Sequence, residues 1–315
     1  MITKQYYPEL DIVKGIAILC VISAHCINDE MVIPQTLYYF LHVFSMPLFM
    51  LASGFLFSMK DKWKFFLEKK VKRLVIPYFS FGILTIAIRY AGSAYSRTGE
   101  INLLSSFCGL LQGDYYWFLY ALFIFMIVCK ILKYRCLLIL LAICSFFVPY
   151  IYTEYNTSFI IERLIVYPFY FIIGIEFKRY YGSIKGLLLK KLTFILTIST
   201  ITFVLLISPT FLKYNHSLHF NQLLGCFVCW LWAIYISERL NGYIPKVLQH
   251  FGHYSLQYYL NHLRISLNPL YGFFFSFLQN GVVLLIFVFV LRSFMSWIAL
   301  CIEKRYKPLR LLCGL

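Results

Sequence analysis

The sequence predicts an all-α integral membrane protein of about ten transmembrane helices, with both termini cytoplasmic. Three observations lead there. The 315-residue chain is 61% hydrophobic and only 13% charged, about half the charge share of an ordinary soluble domain. Apolar windows of helix length recur from one end to the other. The excess of 29 Lys and Arg over 13 Asp and Glu, a net charge of +16, sorts by loop. A water-soluble globular protein, a disordered tail and a coiled coil are set aside by this composition.

The windows come first. A bilayer core of about 30 Å needs about 20 apolar residues per helix. Residues 11–28, 37–59, 74–92, 115–132, 136–152, 159–177, 187–208, 220–237, 250–269 and 281–302 meet that need. Short loops join them, so one multi-pass transmembrane domain over residues 1–315 is expected, with no extra soluble domain. Residues 93–114 are the longest non-apolar stretch and suit a short helix or a re-entrant turn. The Pro269–Leu278 stretch can lengthen the ninth span. The first window carries Asp11 and Lys14 and lacks a clean small-residue cleavage site, so it is expected to stay as a helix and not to be removed as a signal peptide.

The cations then orient the chain. With the N-terminus inside, 22 of the 29 fall on inner segments and four on outer ones: Arg89, Arg97, Lys213 and Arg264. Lys14, Arg163 and Arg292 lie within spans. Such a split is the positive-inside pattern of a multi-pass protein, and it removes any need for a nucleic-acid partner. The bilayer itself is the expected partner.

Ionisable residues inside apolar windows are costly and therefore mark function. In the first span, Lys14 and His25 lie about 20° apart around a helix, and Asp11 lies within about 40° of His25. One stripe thus carries a charged pair at its cytoplasmic end and an imidazole about 16 Å further along. Such a face suits a polar cavity better than lipid. An imidazole titrating near neutral pH can accept and return a proton. The bland readings are an interfacial i,i+3 pair and a packing histidine.

The densest basic run is Lys60 to Arg73, with seven cations in fourteen residues. It suits anionic headgroups or a polyanionic cytoplasmic ligand. Lys70 and Arg73, at i,i+3, can share one phosphate, for which Arg is well shaped. Ser45-Met46-Pro47 and Ser53-Gly54 predict a kink and close packing in span 2. Trp117 opens span 4 as part of an interfacial belt or as a stacking surface for a sugar. Arg163, beside Glu162, is an interfacial pair or a substrate contact. Ser255 and His262 share a face of span 9, and His262 reaches the depth of His25. His42, His216 and His219 are expected in outer loops, and His250 and His253 on the inner side. Cys226-x-x-Cys229 lies in an apolar window and is expected to be packing. No metal-ligand spacing, Gly-rich phosphate loop or internal repeat is visible.

Several blocks, in order, resemble the acyltransferase-3 family of integral membrane O-acyltransferases. They are Leu10-Asp11-x-x-Lys14-Gly15-Ile16-Ala17 with His25, then Met46-Pro47-Leu48-Phe49 with Ser53-Gly54-Phe55. Lys70-x-x-Arg73 with Pro77-Tyr78 follows, then Trp117-Phe118-Leu119 and Tyr170-Phe171 with Gly174. Last come Gly252-x-x-Ser255-Leu256, Tyr259 and His262. The resemblance runs the length of the chain, including the ten-span count.

The resemblance implies transfer of an acyl group, usually acetyl, from cytoplasmic acyl-CoA to a hydroxyl of a cell-surface glycan or lipid-linked sugar. Acetyl-CoA would be a co-substrate with no bound cofactor, and the site the bacterial cytoplasmic membrane. His25 takes the place of the family histidine, as general base or acyl carrier. Asp11 and Lys14 take the places of the acid and base that open that span. The family's paired arginines correspond to Lys70 and Arg73. Where Arg is commoner in relatives this chain has Lys14 and Lys70, which keep the charge without the bidentate fork. Asp11 and His25 are thus the catalytic candidates, and Lys14, Lys70 and Arg73 those for acyl-CoA. Trp117, Arg163 and His262 are those for the acceptor side. The rival reading from the residues alone is a multi-pass transporter or flippase of a sugar or glycolipid, since buried ionisable groups suit that too.

Overall fold

A computed structural model describes residues 6–27, 31–95, 102–151, 159–207, 218–262 and 280–315. Lys4, Arg97, Lys213, Arg264, His216 and the Pro269–Leu278 stretch lie outside the described residues. Every regular element among the described residues is helical. Among the described residues, five helices are long and apolar enough to cross a membrane. A sixth arises if Phe159–Lys190 and Leu192–Leu206, bent 95° at their junction, make one span.

The chain forms two compact units. The first contains Met1–Leu56 and Tyr170–Trp297, and the second Phe57–Phe169 and Ile298–Leu315.

At the centre of the first unit is α1 (Pro8–Ala24). Pro8 stands at its start, where a missing N–H costs nothing, and Glu9 and Asp11 sit in its positive first turn. It packs on α2 (Gln35–Val43), α3 (Ser45–Leu56), α12 (Leu218–Arg239), α13 (Tyr243–His253) and α14 (Ser255–Asn261). Its contact with α13 is the most extensive, because two glycines bring the backbones together. A β-carbon on Gly15 would stand 2.1 Å from the Leu248 carbonyl oxygen. The expected break in span 2 falls at Phe44, between α2 and α3, just ahead of Pro47, whose ring removes a helical N–H. Gly54 and Gly174 repeat the close approach between α3 and α10 (Pro168–Lys190), against the carbonyls of Phe171 and Leu51. Helix α11 (Leu192–Leu206) packs on α12.

The Pro8 end of α1 is locked by a polar network. The Tyr181 hydroxyl donates to Glu9 Oε1 at 2.5 Å, and Lys185 Nζ lies 3.1 Å from the same oxygen and 2.7 Å from Glu238. Glu9 is buried, so this cation carries weight that a solvated topology charge would not.

In the second unit, α4 (Trp63–Lys70) passes into a π-helical turn, Val71–Val75, and then into α5 (Ile76–Tyr95). Residues 93–114, expected to hold a short helix or turn, contain α6 (Leu103–Gln112), with Asn102 capping the N–H of Ser105. Gly113, at φ 95°, ends α6 in the left-handed region that glycine favours, and α7 (Trp117–Leu132) follows. Helices α8 (Arg135–Ile151) and α9 (Phe159–Val166) pack on α7 and on each other. Lys130, buried in α7, donates from Nζ to the carbonyls of Met59 (2.6 Å) and Asp61. The ammonium also lies 5.3 Å from the Phe66 ring centroid. Residues 298–305 of α15 (Gly281–Arg305) and the following α16 (Lys307–Leu312) also belong to this unit, while residues 281–297 of α15 belong to the first.

Candidate active site

The stripe foreseen on α1 is present. Near its start, Lys14 Nζ sits 2.7 Å from Asp11 Oδ1, and the Tyr6 hydroxyl donates to Asp11 Oδ2 at 3.0 Å. At its other end, His25 closes the helix and is exposed.

Facing His25 is His262. The ring centroids are 5.1 Å apart at 44°. His262 follows directly on α14 and is fully buried. Its Nδ1 lies 2.7 Å from the Tyr259 carbonyl oxygen and 3.2 Å from that of Tyr258. A carbonyl only accepts, so Nδ1 carries the hydrogen in the neutral ring. Nε2 is then a lone-pair acceptor, and it is buried with no hydrogen-bond partner among the described residues. The sequence placed both imidazoles at one depth. The structure makes them neighbours.

A third member was visible only as a charge inside the tenth window. Arg292, in the middle of α15, is buried. Its Nη1 donates to the carbonyl oxygen of His25, and its charge acts on both imidazoles. The last turn of α1 has no basic residue of its own, so the cation that meets its negative end comes from α15. The signal was an arginine at mid-span, where charge is expensive.

The other site candidates belong to the second unit. Lys70 ends α4, half-buried, with Nζ 6.0 Å from the Phe66 ring centroid. Arg73 is exposed within the π turn, whose widened hydrogen-bond pattern interrupts the regular helix expected there. Trp117 and Arg163 come together. The guanidinium lies 5.6 Å from the Trp117 ring centroid, 4.6 Å from Phe159 and 5.9 Å from Tyr167. Glu162 pairs with Arg163 only loosely, at 3.7 Å.

Two histidines expected in outer loops lie in helices, His42 in the last turn of α2 with its Nδ1 2.8 Å from the Tyr38 carbonyl oxygen, and His219. His219 is not a loop residue but lies buried in α12, its Nδ1 3.0 Å from the Tyr170 hydroxyl. That hydroxyl also donates to Gln222. Cys226 and Cys229 are buried free thiols in α12.

A family model described as an acyltransferase domain, acyltransferase-3, matches residues 7–301. The chain belongs to the acyltransferase-3 family. No curated protein and no solved structure matched it. As a member of this family with several apolar helices of spanning length, it is a multi-pass membrane acyltransferase. In an acyltransferase-3 protein, two facing imidazoles beside a buried guanidinium form a set able to move a proton and steady a negative charge.

Proposed function

We propose that this acyltransferase moves an acetyl group from cytoplasmic acetyl-CoA to a hydroxyl of a cell-surface glycan or lipid-linked sugar. It does so in the bacterial cytoplasmic membrane, as one ten-span domain with both termini inside. The observation that carries the reading is the placement of His25. It lies on the same stripe of α1 as the Asp11–Lys14 pair and faces His262 at 5.1 Å.

Donor binding falls to the cations Lys14, Lys70 and Arg73, which suit the phosphates of a coenzyme A thioester. Asp11 holds Lys14 in place. His25 takes the proton of the acceptor hydroxyl as its oxygen attacks the thioester carbonyl. Trp117 and Arg163 serve the acceptor, the indole through its face and the guanidinium through its donors. His262 serves the acceptor side, which suits a ring whose Nε2 has no hydrogen-bond partner among the described residues.

Purified protein given acetyl-CoA tests this. Free thiol should appear only when an envelope glycan fraction is added, and an alkali-labile acetyl ester should appear on the glycan in equal amount. Thiol release without ester formation, or no release with any fraction, contradicts the reading.

A further inference from the structure

We propose that Arg292 is a catalytic residue that holds the oxyanion formed during acyl transfer. This rests on the reading of His25 as the base in an acetyl-CoA-dependent reaction.

Three observations carry the assignment. Arg292 lies near the middle of the 25-residue helix α15, and its side chain is buried. A guanidinium there is expensive unless its charge is used. Second, its donors are only partly engaged. Nη1 donates to the His25 carbonyl, the guanidinium also hydrogen-bonds the Cys26 thiol, and Nε is buried with no hydrogen-bond partner among the described residues. Among the described residues no carboxylate pairs with it. Capping α1 accounts for one N–H and for part of the charge, and leaves the Nε donor unexplained. Third, among the described residues its charge acts on His25 and His262, two rings that present proton acceptors and not a permanent negative charge. A cation with a spare donor beside a base is suited to a charge that exists only in passing.

The step balances as follows. The acceptor hydroxyl gives its proton to the His25 imidazole while its oxygen forms a C–O bond to the thioester carbonyl carbon. The carbonyl oxygen becomes an alkoxide and takes hydrogen bonds from Arg292. The C=O bond then re-forms as the C–S bond breaks, and the imidazolium returns its proton to the departing thiolate. No oxidant, metal or further reactant is needed. Arg292 meets negative charge at the tetrahedral stage and not before, so it acts on the limiting rate more than on donor binding.

The test uses inverted membrane vesicles from the producing cells, whose own glycan is the acceptor, with radiolabelled acetyl-CoA as probe. R292Q should lower the limiting rate about 100-fold, the loss seen when one oxyanion donor is removed. KM for acetyl-CoA should stay within about threefold of wild type. R292K keeps the charge without the fork and should recover about tenfold of that loss. Equal amounts of folded protein are confirmed by thermal unfolding in detergent. If R292Q is lost from the membrane, R292K decides alone, and a wild-type limiting rate in R292K overturns the proposal. A wild-type rate in R292Q, or a loss carried wholly by KM, overturns it too. If wild-type vesicles transfer no label, the acetyl-CoA reading fails and takes this proposal with it. If wild type transfers label and R292Q does so equally, only the proposal fails.

Discussion

A β-carbon on Gly252 would stand 1.6 Å from the carbonyl oxygen of Asp11. With Gly15 set against Leu248, it joins α1 to α13 backbone to backbone, beside the Asp11–Lys14 pair. Gly252→Ala must push the helices apart and should cost about 1–3 kcal/mol, the usual cost of overpacking. Thermal unfolding in detergent should show a lowered midpoint. Gly182→Ala, with nothing within 4 Å of the added carbon, is the control and should leave the midpoint unchanged or raise it. Equal midpoints in the two variants would remove the close approach as a determinant of the fold.

The Glu9 network gives a second prediction, framed as a double-mutant cycle. Lys185→Met leaves the buried Glu9 carboxylate with the Tyr181 hydroxyl as its side-chain partner among the described residues and should destabilise by about 3 kcal/mol. Adding Glu9→Gln removes the stranded charge, so the double variant should unfold above Lys185→Met alone. Additive losses would mean that the two groups do not interact.

Lys130 gives a third. Its ammonium holds two carbonyls of the segment before α4. Lys130→Met keeps the apolar stem and strands both acceptors, at a cost of about 2 kcal/mol. Lys133→Met, one helical turn on and outside this arrangement, should change stability by less than about 0.5 kcal/mol. Protease accessibility around Met59–Lys62 should rise in the first variant only.

These cases mark what the residues reveal in advance. The stripe of Asp11, Lys14 and His25 was legible because helical periodicity is a local property. That His262 would stand opposite His25 was not, since spacing along a chain gives depth but not which helix lies alongside. Arg292 was visible as a costly charge, yet its aim depends on the end of α1, 267 residues away in sequence. Lys130 and Lys185 counted as topology charges, and their binding roles come from carbonyls and carboxylates far along the chain. His219 read as a loop residue because its neighbours are polar, and Tyr170 is what draws it inside.

Span counting met a similar limit. Hydropathy windows register apolar length and not straightness. Helices α1 and α8 are 17 residues each. Span 9 breaks at Tyr254 between α13 and α14, and a 95° bend separates α10 from α11. Ten apolar windows in the sequence thus correspond to five or six helices of full spanning length among the described residues.

Acyl transfer in this protein depends, on the proposed mechanism, on the imidazole of His25. The most direct test of that dependence is NMR of the surface glycan from cells carrying His25→Ala in place of the wild-type protein, with membrane abundance matched. The O-acetyl ester signals present with wild type should disappear, while protein level and unfolding midpoint hold. Full acetylation with His25→Ala would contradict that dependence.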